Sequence, residues 1–274
     1  MKISILLPYK ENYSPSYPGA VSIFVNSMNK LSAFKNNITV FGSTEFKKKL
    51  SSNYININLS KQILSSQSKQ YVQKFYDMQL KSNADIIEIH NRPNYIEKLT
   101  KLNSKIILYF HNDPISMVGS KSVEDRINLL NVCSKIIFNS EWSKKQYLKD
   151  LKNFYHKSEK LIVIHQSTVK TNINFTNKEK LITFVGKLNS AKGYDIFGEA
   201  VIKILNKYPE WSSIVIGNEP RQKLFYNHPR LKILGFKDND YVLNKLKEVS
   251  VSVVPSKWDE PFGRSSLEAA SRGC

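Results

Sequence analysis

Short apolar runs rich in Ile and Val recur along the chain, and each is followed by a stretch whose apolar residues return every three or four positions. The first kind predicts strands; the second predicts helices with one buried face. In the first half the predicted strands are Ile3–Pro8, Ile38–Phe41, Asp85–His90, Lys105–Phe110, Lys135–Asn139 and Leu161–His165. Helices are predicted around 20–32, 65–82, 93–102, 121–132 and 141–151. This alternation marks βαβ units, whose parallel strands are covered by helices on both faces.

Between Ser167 and Lys180 the apolar pattern lapses into Thr, Asn and Lys, which reads as a linker. A second series then starts, with strands Leu181–Val185, Ser213–Ile216, Leu231–Leu234 and Val251–Val254 and helices near 194–207 and 239–249. The expectation is an α/β chain of two Rossmann-like domains, 1–167 and 181–274, joined by a linker over 168–180. A length of 274 residues agrees with that division, since domains usually hold roughly 100–200 residues. Ligands of open parallel sheets bind beyond the carboxyl ends of the strands, so two such sheets are expected to share a site in a cleft.

Composition changes this picture little. Hydrophobic residues make up 41% and charged residues 23%, which suits a folded, water-soluble chain. The apolar run at the start is broken by Pro8, Lys10 and Glu11 before a signal peptide could form, and no run approaches the ~20 apolar residues of a membrane span. Only Cys133 and Cys274 are present, so neither a disulfide framework nor a cysteine metal site is expected. A cytoplasmic location follows as the expectation. The net charge of +18 fits nucleic acid, an anionic membrane or a phosphorylated ligand. No nucleic-acid recognition motif accompanies it.

Chemistry concentrates at strand ends. Pro255 to Glu268 carries Glu260 and Glu268 eight residues apart, around a Pro261-Phe262-Gly263 turn that opens a helix. Unpaired N–H groups there favour a phosphate. Leu267, Ala270 and Cys274 are spaced to form the packed face, with Glu268 turned about 100° away to meet vicinal hydroxyls. Gly186 to Gly193 opens the second domain with Lys187 and Lys192 five residues apart, so that two cations face one anion. Solvated loop lysines and helix-start carboxylates are the plainer reading of these residues.

Taken together, Gly186-Lys187 and Lys192-Gly193 followed by Glu260-Pro261-Phe262-Gly263 and Glu268 resemble glycosyltransferase family 4, retaining enzymes of the GT-B fold. The resemblance spans the chain, is closest from Leu181 to Gly273, and leans toward bacterial lipopolysaccharide and cell-surface glycan sugar transferases. It implies that Lys187 and Lys192 contact a donor diphosphate, Lys187 standing where many relatives have Arg. It also implies that Glu260, Phe262, Gly263, Arg264 and Ser265 hold the donor sugar and phosphate. Glu268 is implied to bind the ribose hydroxyls, and Phe236 to approach the nucleobase. In the first domain it assigns Gly19, in Pro18-Gly19-Ala20, to the loop over the donor, with Ala20 where relatives often carry a second glycine. His111 matches a functional histidine, and His90 and Arg92 are acceptor-side candidates. Glu260 and His111 are the catalytic candidates.

No metal or cofactor is implied, because the nucleotide sugar is a substrate and the lysines supply positive charge. Asp238-Asn239-Asp240 has the D-x-D form but precedes a helix and reads as its cap. His111 with Asp113 lacks a third metal ligand of suitable spacing. The expected partners are a nucleotide-sugar donor, a glycan or lipid-linked acceptor and the anionic inner membrane surface, without nucleic acid. A sugar-nucleotide epimerase of the same fold and a basic binding protein are the rival readings. Since the family continues past Cys274, the chain is expected to be truncated, with Val251–Val254 short of a neighbour, and unstable or inactive in that form.

Overall fold

A computed structural model describes residues 1–59, 66–151 and 159–274. The chain divides into two compact units, Met1–His165 and Gln166–Cys274.

In unit 1 the strands are β1 (Ile3–Leu6), β2 (Ile38–Gly42), β3 (Tyr54–Asn56), β4 (Ile86–His90), β5 (Lys105–Phe110), β6 (Lys135–Phe138) and β7 (Leu161–Val163). They form one sheet in the order β3-β2-β1-β4-β5-β6-β7, and every pairing is parallel. The helices are α1 (Ala20–Leu31), α2 (Gln67–Ser82), α3 (Ile96–Leu99), α4 (Val123–Val132) and α5 (Glu141–Leu148). Residue 65, the predicted start of the second helix, lies outside the described residues. The helix expected over 93–102 is a 3-10 turn at Pro93–Tyr95 followed by the single turn of α3. The helix expected over 141–151 ends at Leu148. Strand β3 was not predicted, because Tyr54-Ile55-Asn56 is too short to show a period.

Alternation along the strands feeds two cores. Leu6, Ile87, Ile89, Leu108 and Phe110 enter one, under α2 and α4. Ile5, Leu7 and Tyr109 enter the other, with Val21, Phe24 and Val25 of α1. Caps fix the helix starts: Ser122 and Asp125 make a reciprocal capping box on α4, and Ser66 and Ser140 cap α2 and α5.

Unit 2 holds β8 (Glu179–Val185), β9 (Ser212–Ile216), β10 (Leu231–Ile233) and β11 (Val249–Ser252), parallel in the order β10-β9-β8-β11. Its helices are α6 (Tyr194–Lys207), α7 (Asn239–Lys245) and α8 (Arg264–Ala270). Leu181, Ile214 and Ile216 pack on one face, Ile182, Phe184 and Val215 on the other.

Several boundaries move. The linker gives way to β8 at Glu179, so Glu179 and Lys180 belong to the sheet. The helix expected over 239–249 ends at Lys245, and Val249 instead opens β11, which pairs with β8. Asp238 does cap α7, accepting from the Tyr241 N–H at 2.7 Å. In α8 the buried residues are Glu268 and Ala269, while Ala270 is exposed. Of the packed face expected of Leu267, Ala270 and Cys274, Cys274 does pack on the core, but Ala269 takes the place of Ala270, and a pairing with Arg264 lets the Glu268 carboxylate turn inward.

Candidate functional site

In each unit the strand order reverses beside its first strand, and there the loops after neighbouring strands part to leave a crevice for ligands. In unit 1 the flanking strands are β1 and β4; in unit 2 they are β8 and β11. Most candidate residues follow these strands, whereas His111 follows β5 and Phe236 follows β10.

In unit 1, Gly19 is the N-cap of α1 and offers no side chain to it. Glu11 supplies the acceptor instead, its Oε1 lying 3.0 Å from the Ser22 N–H. A Cβ on Gly19 would fall onto that carboxylate, so glycine here makes room for the cap. Burial raises the Glu11 pKa above the usual 4.5, outweighing the N–H groups of Ser22 and Val21 and the charge of Arg92. Arg92 itself donates from Nη1 to the Asn91 carbonyl at 2.7 Å.

Glu88 and His90 are two apart on β4, and Tyr109 and His111 two apart at the end of β5, so all four project from one sheet face. His90 Nδ1 lies 2.8 Å from His111 Nε2. On the other side His90 Nε2 lies 2.8 Å from Glu88 Oε1, without the alignment of a hydrogen bond. His90 is wholly buried and His111 8% exposed. Tyr109 stacks on His111 at 4.4 Å between centroids, and Phe24 of α1 meets the same imidazole edge-on at 5.0 Å. Burial, with Glu88 nearby, pushes the Tyr109 phenol up. The His111 backbone is pinned as well: its N–H donates to Asn91 Oδ1 at 2.7 Å, and its carbonyl accepts from Asn139 Nδ2 at 2.8 Å.

In unit 2 the loop after β8 meets the loop after β11. The Lys192 ammonium pairs with Glu260 Oε1, which also accepts from Ser256 Oγ at 2.8 Å and Trp258 Nε1 at 2.9 Å. Lys192 sits 4.7 Å from the centre of the Trp258 ring. Burial works to raise the Glu260 pKa, but Lys192, Ser256 and Trp258 outweigh it and hold the carboxyl below 4.5. The loops are tied further by the Lys257 N–H to the Ala191 carbonyl at 3.0 Å and by Lys257 Nζ to Asp195 Oδ2 at 2.6 Å. Gly193, at φ +71°, lies so close to Pro255 that a Cβ would strike its carbonyl oxygen.

Lys187 is exposed. Its charge reaches Glu219 after β9, whose carboxylate is held at about 2, chiefly by the hydrogen-bonded Arg221. Beyond the β11 loop, Gly263 at φ +81° precedes α8, and Arg264 Nη2 donates to Glu268 Oε1 at 2.8 Å. Phe262 and Ser265 are half-buried at that helix start, and Phe236, following β10, is 36% exposed.

The structure thus brings Lys192 to Glu260, Arg264 to Glu268, and His90 to His111. Four further polar groups escaped sequence reading. Glu88 was findable, since a carboxylate two residues before a strand histidine shares its face. Glu11, Glu219 and Arg221 join their partners through loops that leave no periodic signal. Among the described residues, no group of three or more His, Cys, Asp or Glu is placed to hold a metal. No described helix is long and apolar enough to cross a membrane.

The fold is a GT-B architecture of two Rossmann-like units. Residues 165–274 match the family described as Glycosyl transferases group 1. Spore coat protein SA of Bacillus subtilis (strain 168) is 24% identical over an alignment of 308 positions, covering 100% of this chain and 79% of that protein. YtcC of the same strain is 22% identical over 222 residues, 70% of this chain and 54% of YtcC, so the chain spans about half the length of that relative. Among solved structures, Anabaena Alr3699/HepE in complex with UDP-glucose superposes with a TM-score of 0.72 at 15% identity, covering 100% of this chain and 79% of HepE. The lipopolysaccharide outer core galactosyltransferase WaaB gives a TM-score of 0.64 at 15% identity, with the same coverage of each chain. At such identities the likeness is one of fold.

Proposed function

We propose that this protein is a glycosyltransferase of family 4 that moves a sugar, with retention, from a nucleotide-sugar donor to a glycan or lipid-linked acceptor of the cell surface. The observation that carries the reading is the Lys192–Glu260–Trp258 cluster at the point where β8 and β11 part, inside the segment that matches the group 1 family. UDP-glucose bound to HepE supports a uridine donor, and WaaB supports a lipopolysaccharide-type acceptor.

Breaking the bond to the diphosphate builds positive charge at the anomeric carbon and negative charge on the leaving phosphate. Lys187, Lys192 and the backbone from Phe262 to Ser265 answer the second with fixed positive potential, so no divalent ion is needed for it. Glu260 aims Lys192 and takes hydroxyls of the sugar. Glu268, steadied by Arg264, accepts from the ribose hydroxyls, and Phe236 faces the base. His111 meets a sugar hydroxyl. The excess of basic residues draws the protein to the anionic inner membrane face, where lipid-linked acceptors lie.

The test is a panel of UDP-, GDP- and ADP-sugars, scored by thermal shift and by nucleoside diphosphate release with and without a lipid-linked glycan fraction. One UDP-sugar should stabilise the protein and yield acceptor-dependent transfer. Sugar isomerisation without acceptor would point to the epimerase instead. Absence of both stabilisation and release across the panel would overturn the reading.

A further inference from the structure

We propose that the loop after β9 is a charge-balanced brace for donor binding. Glu219 and Gln222 are positioning residues that hold the loop carrying Lys187 and Lys192, and Arg221 cancels the Glu219 charge so that it does not repel the diphosphate. The ligand in this proposal rests on the glycosyltransferase reading; the brace rests on geometry alone.

The loops after β8 and β9 touch from their first residues. Gly217, directly after β9, lies so close to Gly186 that a Cβ on it would strike the Gly186 carbonyl oxygen. Two residues further on, Glu219 turns toward the 187–192 loop, its side chain 4% exposed. Its Oε2 lies 3.5 Å from Asn189 Nδ2. The other end of that amide, Oδ1, accepts the Lys192 N–H at 3.0 Å and caps the 3-10 turn Ser190–Lys192. An amide whose oxygen is committed to an N–H presents its NH2 on the other side, and a carboxylate there can only accept. Gln222 adds a second strut. Its Oε1 accepts the Ser190 N–H at 3.1 Å, and its Nε2 donates to Ser190 Oγ at 2.9 Å. The turn that ends in Lys192 is thus held by side chains 30 and 32 positions further along the chain.

A lone carboxylate at this place would oppose anion binding, since Glu219 is ionised at neutral pH and close enough to feel the Lys187 charge. Arg221 removes that conflict. Its Nε donates to Glu219 Oε1 at 2.7 Å and its Nη2 to Oε2 at 2.8 Å, one bond to each oxygen, a planar fork that matches a carboxylate. The guanidinium is itself 77% exposed, so it contributes charge more than packing. Exposed ion pairs add little to folding stability, and the effect of Arg221 therefore belongs to ligand affinity.

Two measurements test this, the first without a ligand. Amide hydrogen exchange of the full chain, followed by NMR, should show Ser190 and Lys192 protected in the wild type. Glu219→Ala should speed exchange at Lys192, and Gln222→Ala at Ser190, by about 3- to 10-fold, with Val215 in β9 unchanged. Gln222 is half-buried, so its variant serves if Glu219→Ala fails to fold. Unaltered exchange at these amides overturns the brace, whether or not the protein binds a nucleotide.

The second is titration calorimetry with UDP. Arg221→Met leaves the Glu219 charge unbalanced and should raise the UDP Kd about 3- to 10-fold at low salt, an effect that shrinks by ~0.5 M. Adding Glu219→Gln removes the charge, keeps an acceptor oxygen for Asn189, and should return the Kd close to the wild-type value. A loop with a merely structural role would bind no better after the second substitution, so a double variant as weak as Arg221→Met overturns the charge balance. A wild-type chain without affinity for any nucleoside diphosphate sinks the glycosyltransferase reading, and the exchange rates then decide the brace on their own.

Discussion

Lys192 shows how much a single residue's role depends on its neighbours. By sequence it is a loop cation free to meet a phosphate; in the fold its ammonium lies between Glu260 and the Trp258 ring. A cation so held cannot wander, and an incoming diphosphate meets it already oriented. Lys192→Ala should therefore lower kcat by roughly 10²- to 10³-fold, the range for losing one fixed donor to a developing negative charge. Steady-state kinetics on a variant shown to be folded by circular dichroism checks this; wild-type turnover would remove Lys192 from the mechanism.

Gly193, next to it, carries a different load. Its φ of +71° and its approach to the Pro255 carbonyl both exclude a side chain, and the obstacle is backbone that cannot rotate away. Gly193→Ala is expected to cost roughly 1–3 kcal/mol, measured by urea unfolding. A variant as stable as wild type would mean that the two loops part easily.

At the scale of elements, α1 illustrates a cap borrowed from elsewhere. Its N-cap is a glycine, so the carboxylate of Glu11, eight residues earlier, accepts the Ser22 N–H. Burial nonetheless raises the Glu11 pKa, so the folded state binds its proton more tightly than the unfolded chain does. Its contribution to stability is then complete below pH 4.5 and declines as pH rises through the raised folded value. Glu11→Gln keeps an acceptor oxygen and lacks that decline. Urea midpoints for the two proteins, compared from pH 4 to 7, should converge or cross in favour of Gln; parallel curves would exclude a buried carboxylate.

The strands were the most readable elements, because parallel strands covered on both faces appear as short runs dominated by apolar and β-branched residues, as in Ile86–Ile89 and Leu181–Val185. Helix ends were less readable. The predicted helix over 239–249 ran through Val249, since an apolar residue suits either period until β11 pairs it with β8.

At the scale of the whole molecule, each unit has a sheet with a core on either face. The donor-side candidates other than Gly19 lie in the second unit, and the histidine pair lies in the first. UDP should therefore stabilise the unit that carries Trp211 and Trp258. At 100 times its Kd the gain is about 2.7 kcal/mol, read as a shift in the tryptophan-detected urea transition and absent in Lys192→Ala. An unshifted transition in wild type would deny UDP a place in unit 2. The charge of +18 belongs to this scale too: cosedimentation with phosphatidylglycerol vesicles should be strong at low salt and fade by ~0.5 M, as screening shortens the reach of surface charge. Salt-independent binding would require an apolar contact instead.

The order of residues alone determined the two runs of βαβ units and placed Lys187, Lys192, Glu260 and His111 in the segments that follow strands and Glu268 on a helix, because hydrophobic period and turn chemistry are local properties. Tertiary structure decided the partnerships: Lys192 with Glu260, Arg264 with Glu268, Glu11 on α1, and His90 with His111. Lys192 with Glu260 and His90 with His111 join residues far apart in the chain, 68 and 21 positions. Their proximity is set by which strands lie side by side, and strand order leaves no period in the sequence.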